Sequence, residues 1–243
     1  MSKDIDIQSQ DYPCLLKEVR DPPKRLYYKG NFCSDIFNNC LSVVGSRVIS
    51  RAGRKLIKYL FSSLDKSVTI VSGFMTGVDA EAHKEALRLG LKTIAVMPCG
   101  IDYIHPGKQI DLYNKILCSG GLVLSEYDGG IKPEVWTYPR RNRIVAGISK
   151  ATLVIEASLD SGSLITAGLA NECNRDVFVF TNLDRQSEGV LLISRQFAKS
   201  IVSGLQINQY LKDFDKERFK VQISNKYQLE IFDVRPKGLE KQQ

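Results

Sequence analysis

Four short segments combine small residues, hydroxyls and arginines in the way that phosphate binding requires. The first is Val44-Gly45-Ser46-Arg47. A glycine there lets backbone N–H groups approach an anion, a following helix N-terminus adds partial positive charge, and Arg47 adds a guanidinium fork that fits phosphate. The segment is neither G-x-G-x-x-G nor a P-loop, and a tight turn with a surface arginine fits it equally well. The second runs from Ser72 and Gly73 through Phe74, Met75 and Thr76 to Gly77 and Asp79. Its glycines and hydroxyls suit an anion, while Thr76 and Asp79 also read as a capping box. The third is Tyr138-Pro139-Arg140-Arg141-Asn142-Arg143. Proline favours a first helical turn, where three arginines oppose the macrodipole. They call for a compensating anion: a bound phosphate, or a carboxylate from Glu126, Asp128, Glu156 or Asp160. The fourth, Ser161-Gly162-Ser163-Leu164-Ile165-Thr166, offers amides and hydroxyls at a helix start, or an ordinary N-cap.

The elements that would carry these segments alternate between strand and helix. Ser42-Val43-Val44 and Val68–Val71 read as strands, as do Thr93–Met97, Leu122–Ser125, Ala151–Ile155 and Val177–Phe180. Between them, Leu56, Ile57, Leu60, Phe61 and Leu64 fall at helical spacing. So do Val78, Ala82, Ala86 and Leu89. Further helices are expected near 108–118, 139–148 and 163–173. Apolar strands alternating with helices predict an α/β fold: an extended Rossmann-like, doubly wound, mainly parallel sheet with helices on both faces. In such a sheet all four segments lie at the carboxyl ends of the strands, where ligands sit. Four such loops on one rim point to an extended polyanion site. Residues 1–40 read as an extended arm with a short strand, 41–205 as the core, and 206–243 as a charged extension ending in a helix and a tail.

Composition agrees with a globular chain that binds anions. Of 243 residues, 43% are hydrophobic and 25% charged, with a formal net charge of +7. A basic balance favours nucleic acid, membrane surfaces or phosphorylated ligands. The six cysteines are scattered without C-x-x-C spacing, and the only histidines are His83 and His105, so neither a metal site nor a cofactor is expected. The N-terminal MSKDIDIQSQDYP lacks an apolar signal core, and no apolar run approaches the ~20 residues of a membrane span. The expected compartment is the cytoplasm, with no membrane partner.

In order and spacing, these segments resemble the DNA-processing protein A (DprA/Smf) family. The motifs are Val44–Arg47; Ser72-Gly73 with Gly77, Asp79 and His83; Gly100-Ile101-Asp102; Ser125-Glu126-Tyr127; Pro139–Arg143; and Ser161–Thr166. The lead-in Tyr12-Pro13, Asp21-Pro22-Pro23 and Leu26-Tyr27 resembles it too. The resemblance implies a Rossmann-like domain that binds single-stranded DNA, dimerises, and helps load the RecA recombinase in natural transformation or recombination. It places phosphates at Gly45, Ser46, Arg47, Gly73, Arg140 and the Ser161–Ser163 turn, with Lys108 nearby. The chain departs from the family by its shortness, which leaves no room for an N-terminal helical domain or a winged helix. It also has Thr181-Asn182 where Pro-Gly is common, and Leu191 where asparagine is usual.

Catalysis is not expected. His83 lies on an amphipathic helix and His105 precedes a proline, so neither is read as a base for a serine or cysteine. Glu126 as general base is outweighed by pairing with an arginine. Phosphoribohydrolases of a related fold carry a catalytic glutamate that the Ser161–Ala167 stretch lacks. A small-nucleotide sensor is a further alternative. Single-strand grooves add stacking platforms to basic charge, and Phe74, Tyr103 and Tyr138 are the candidates.

Overall fold

The computed structural model describes residues 3–180 and 187–216. Its strands are β1 (Lys3–Asp6), β2 (Arg25–Gly30), β3 (Cys40–Val44), β4 (Thr69–Ser72), β5 (Lys92–Val96), β6 (Leu122–Ser125), β7 (Ala151–Val154), β8 (Asp176–Phe180) and β9 (Lys199–Ile201). They form one sheet in the order β1-β2-β6-β5-β4-β3-β7-β8-β9. From β6 to β9 neighbouring strands are parallel, whereas β2 pairs antiparallel with both β1 and β6. The helices are α1 (Arg51–Phe61), α2 (Val78–Arg88), α3 (Ile110–Cys118), α4 (Thr137–Gly147), α5 (Gly162–Glu172) and α6 (Glu188–Gln196), followed by α7 over residues 204–216.

Both faces of the sheet are covered, as the unbroken apolar runs require. Along β3, Cys40 and Val44 join a cluster with Ile144 and Val145 of α4, Ala167 of α5 and Val190 of α6. The alternate residues Leu41 and Val43 join Leu56 and Ile57 of α1, Ala82 of α2 and Ile207 of α7. Farther along that second face, Leu112 and Ile116 of α3 pack with Ala95 and Val123. The doubly wound expectation is met.

The segment read as a lead-in arm supplies two strands of the same sheet, β1 and β2. The boundary read at residue 206 falls inside α7, whose Ile207, Leu211 and Phe214 are buried. Buried Lys150 fixes this helix by donating to Asp215 Oδ2 at 2.6 Å and Asn39 Oδ1 at 3.0 Å. The rest of the charged extension and the Thr181-Asn182 departure lie outside the described residues.

Strand order reverses between β3 and β7: β4, β5 and β6 extend one way, β8 and β9 the other. Loops leaving these two strands therefore diverge and leave a crevice at their carboxyl ends, the usual ligand position in open α/β sheets.

Candidate functional site

A cleft of about 450 Å³ occupies that crevice. The loop after β3 contributes Gly45, Ser46, Arg47 and Val48; the loop after β4, Gly73 and Met75; helix α4, Tyr138, Arg141 and Asn142; and the segment after β7, Ser158 and Asp160 through Ser163, with Thr166.

The first two loops are stitched together. Val78 N–H donates to the Ser46 carbonyl at 3.0 Å, and the Thr76 hydroxyl donates to the Arg47 carbonyl at 3.1 Å. Such close approach requires glycine at 77. Its φ is +83°, and a Cβ there would overlap the Ser46 and Arg47 backbone. Gly77 is also the residue that precedes α2, and no side chain caps that helix. The capping box expected of Thr76 and Asp79 is therefore not formed: Thr76 is committed to Arg47, and Asp79 accepts from Met75 N–H at 3.2 Å.

The loop after β3 does not lend the cleft a helix N-terminus. Helix α1 starts only at Arg51, and its end is closed by Glu156, which accepts from the N–H and the hydroxyl of Ser50. Ser46 N–H is taken by the Glu156 carbonyl at 2.7 Å. What this loop offers the cleft is Arg47, exposed, its guanidinium 5.3 Å from the centre of the Tyr138 ring. The Tyr138 hydroxyl in turn lies 3.0 Å from His105 Nε2. Burial, reinforced by the Arg47 charge, lowers the His105 pKa.

The three arginines of α4 divide by helical geometry. Arg140 and Arg143 are three apart and share a face. Both bind Glu126 Oε1, at 3.2 and 2.5 Å, and both reach Asp21. Arg141 points elsewhere. It is buried, lines the cleft and donates from Nη1 to the Val96 carbonyl at 2.6 Å. Burial lowers its pKa and raises that of Asp79; each charge partly offsets the other's shift. A Cβ on Gly73 would overlap both the Arg141 guanidinium and the Asp79 carboxylate. The anion demanded by the arginine run is thus protein carboxylate for Arg140 and Arg143, and those two stand away from the cleft that their expected phosphate contacts would need.

Helix α5 does present its N-terminus to the cleft. Ser161 at the N-cap makes no capping bond, because its hydroxyl pairs with Ser163 Oγ at 2.7 Å. The Gly162 carbonyl accepts from Asn142 Nδ2 at 3.2 Å and from Thr166 Oγ1 at 3.1 Å, which joins α4 to the turn. Uncapped first-turn amides plus the macrodipole make an anion seat, with Arg47 and Arg141 lining the same cleft.

The family model of DNA recombination-mediator protein A matches residues 3–214. The chain belongs to this family. It is 42% identical over 203 residues to Protein Smf of Synechocystis sp., covering 81% of this chain and 51% of that protein. It is 40% identical over 198 residues to DNA processing protein DprA of Streptococcus pneumoniae, covering 81% of this chain and 70% of that one. The chain therefore spans about half the length of the Synechocystis relative. The X-ray structure of the S. pneumoniae protein superposes with a TM-score of 0.78 at 38% identity, covering 85% of this chain and 73% of that one. DNA processing protein A of Helicobacter pylori, whose structure addresses its single-stranded DNA binding mode, gives a TM-score of 0.76 at 29% identity, covering 87% and 97%.

In this member of the family the remaining expected site residues separate clearly. Ser72 is buried and donates to the Val43 carbonyl at 2.6 Å. Phe74 is fully buried against Tyr113, so it is no stacking platform. Tyr103 packs on the same cluster, outside the cleft. Lys108 lies in an adjoining groove that Arg47 also lines. Beyond the expected residues, Val48, Met75 and Ser158 also line the cleft. Val48 carries one readable signal, an apolar residue two places before an N-cap serine and so outside the helical stripe. Among the described residues there is no cluster suited to a metal ion, and no helix is long and apolar enough to cross a membrane.

Proposed function

We propose that the cleft binds single-stranded DNA by its phosphates. The observation that carries this reading is the uncapped N-terminus of α5 opening into the same cleft as Arg47 and Arg141, at the reversal of strand order. One phosphate accepts from the Gly162 and Ser163 amides, with Arg141 and Asn142 behind it. A neighbouring phosphate meets Arg47, and Tyr138 offers a ring for a base. Gly45 lets its loop pack against Val78 and the Glu156 carbonyl, and Gly73 leaves room for the Arg141 and Asp79 side chains that wall the cleft. Base edges are not read, so binding is general for sequence.

Membership of the recombination-mediator family supports a wider role. The bound strand is protected and passed to a RecA-type recombinase in natural transformation or recombination, and a homodimer presents two clefts to one strand. The protein acts as a binder, not an enzyme, in the cytoplasm.

A mononucleotide sensor, or a phosphoribohydrolase-like enzyme, is the second reading, because a cleft of about 450 Å³ has the size of a small-molecule site. Competition against labelled oligo-dT separates them. The single-strand reading expects unlabelled oligo-dT to displace the probe, with duplex and mononucleotide displacing it poorly. Displacement by a mononucleotide at comparable concentration, or release of free base from it, overturns that reading.

A further inference from the structure

The cleft does not end at Arg47. Arg47 and Val48 also line a second groove with Thr76, Lys84, Lys108 and Gln109. That groove continues into a third between α2 and α3, which shares Lys84, Lys108 and Gln109 and adds Arg88 and Lys115. A single concave path thus leads from the cleft mouth across the α2–α3 face.

Its charge is one-sided once internal pairs are set apart. Arg54 faces Glu81 at 3.9 Å, and Arg88 is held by buried Glu85, with Nε donating at 2.9 Å and Nη2 at 2.6 Å. Lys84, Lys108 and Lys115 are exposed and form no ion pair among the described residues. Against them and Arg47 stands Asp111, in the first turn of α3, where the macrodipole already favours a carboxylate. The floor is rigid: buried Gln109 donates from Nε2 to the Phe74 carbonyl at 2.9 Å and fixes the turn that carries Lys108.

We propose that a strand leaving the cleft past Arg47 runs on along the α2–α3 groove, its phosphates over Lys108, Lys84 and Lys115. This rests on the single-strand reading above. Lysine suits the task, because a flexible point charge tracks a backbone without demanding one phosphate geometry. Exposed lysines that meet successive phosphates release counterions and so steepen the salt dependence of long strands only.

The test compares dT oligonucleotides of about 5 and about 20 nucleotides, spanning usual single-strand site sizes, on the wild-type protein and on Lys84→Ala/Lys115→Ala. Lys55→Ala/Lys58→Ala, which removes the same charge from α1 outside these grooves, is the control. The expected result is about tenfold weaker binding of the long strand by the groove variant, a log–log salt slope flatter by about 1.4, unchanged binding of the short strand, and no change in the control. Unchanged long-strand affinity and slope in the groove variant overturns the path while leaving the cleft reading intact. Equal weakening by the control, or of the short strand, also overturns it, since the effect is then net charge. Failure of the wild-type protein to bind either strand removes the single-strand reading itself, and the path with it.

Discussion

Arg143 and Glu126 meet at 2.5 Å with side chains 10% and 15% exposed. The pair joins the arginine-rich first turns of α4 to the end of β6, and Asp21 and Arg140 complete it from the surface. A carboxylate shared by two guanidinium groups relieves the conflict between basic residues and the positive end of a helix.

Removing that carboxylate leaves nearly buried Arg143 with only the exposed carboxylate of Asp21, 3.7 Å away. Glu126→Gln is expected to lower unfolding stability by about 3 kcal/mol, within the range for breaking buried pairs. Affinity for single-stranded DNA at a temperature where the variant is folded should stay within about twofold, because the pair stands away from the cleft. Denaturant unfolding with parallel binding titrations checks both. Wild-type stability would refute the structural role, and a large affinity loss would return Arg140 and Arg143 to the binding site.

The N-cap of α5 allows stability and binding to move in opposite directions. An aspartate at position 161 can accept from first-turn N–H groups and favours the helix electrostatically. Ser161→Asp is expected to raise stability by about 0.5–1 kcal/mol. The same carboxylate occupies the anion seat, so affinity for oligo-dT should fall at least tenfold. Thermal melts and titrations on one preparation measure the two together. A stabilised variant with unchanged affinity would place the phosphate elsewhere.

His83 makes stability depend on pH. Its ring is fully buried, Nε2 lies 2.8 Å from the Gly73 carbonyl and Nδ1 lies 2.7 Å from Thr93 Oγ1. A carbonyl only accepts, so the neutral ring carries its proton on Nε2, and the single Thr93 hydroxyl proton is shared between Nδ1 and the Ile70 carbonyl at 2.8 Å. Burial pushes the pKa down to about 4, against about 6.5 in the unfolded chain. The unfolded state therefore binds the proton first, and stability falls as pH drops from about 6.5 to about 4. Each pH step of one across that window removes about 1.4 kcal/mol, so the whole loss is a few kcal/mol. His83→Gln should flatten the stability profile there in denaturant melts between pH 7 and 4. A profile as steep as wild type would assign the dependence to another group.

The parallel core was readable because its strands are unbroken apolar runs buried on both faces, and the site loops follow those strands directly. The edge strands were harder. β1 reads Lys-Asp-Ile-Asp with one buried residue, and β9 is three residues long, so neither carries a core signal of its own. Within the site, helical spacing alone separates Arg141 from Arg140 and Arg143. Which face meets a carboxylate depends on Asp21 and Glu126, distant in sequence and brought there by the sheet. Phe74 shows the opposite limit. An aromatic beside a rim glycine looks like a platform, yet the loop turns it inward onto Tyr113. The capping reading of Asp79 failed because the loop after β4 is fastened to Arg47 before the helix starts, leaving Gly77 to precede it.

The central claim, that phosphates of a single strand bind in this cleft, is tested most directly by titrating labelled oligo-dT into the wild-type and Arg47→Ala proteins at several salt concentrations. Arg47 is exposed and forms no ion pair among the described residues, so the variant should fold normally. The predicted result is at least tenfold weaker binding across strands of different sequence, with a log–log salt slope flatter by about 0.7, the release expected for one phosphate contact on a single strand. A folded Arg47→Ala protein with wild-type affinity and an unchanged salt slope would contradict it.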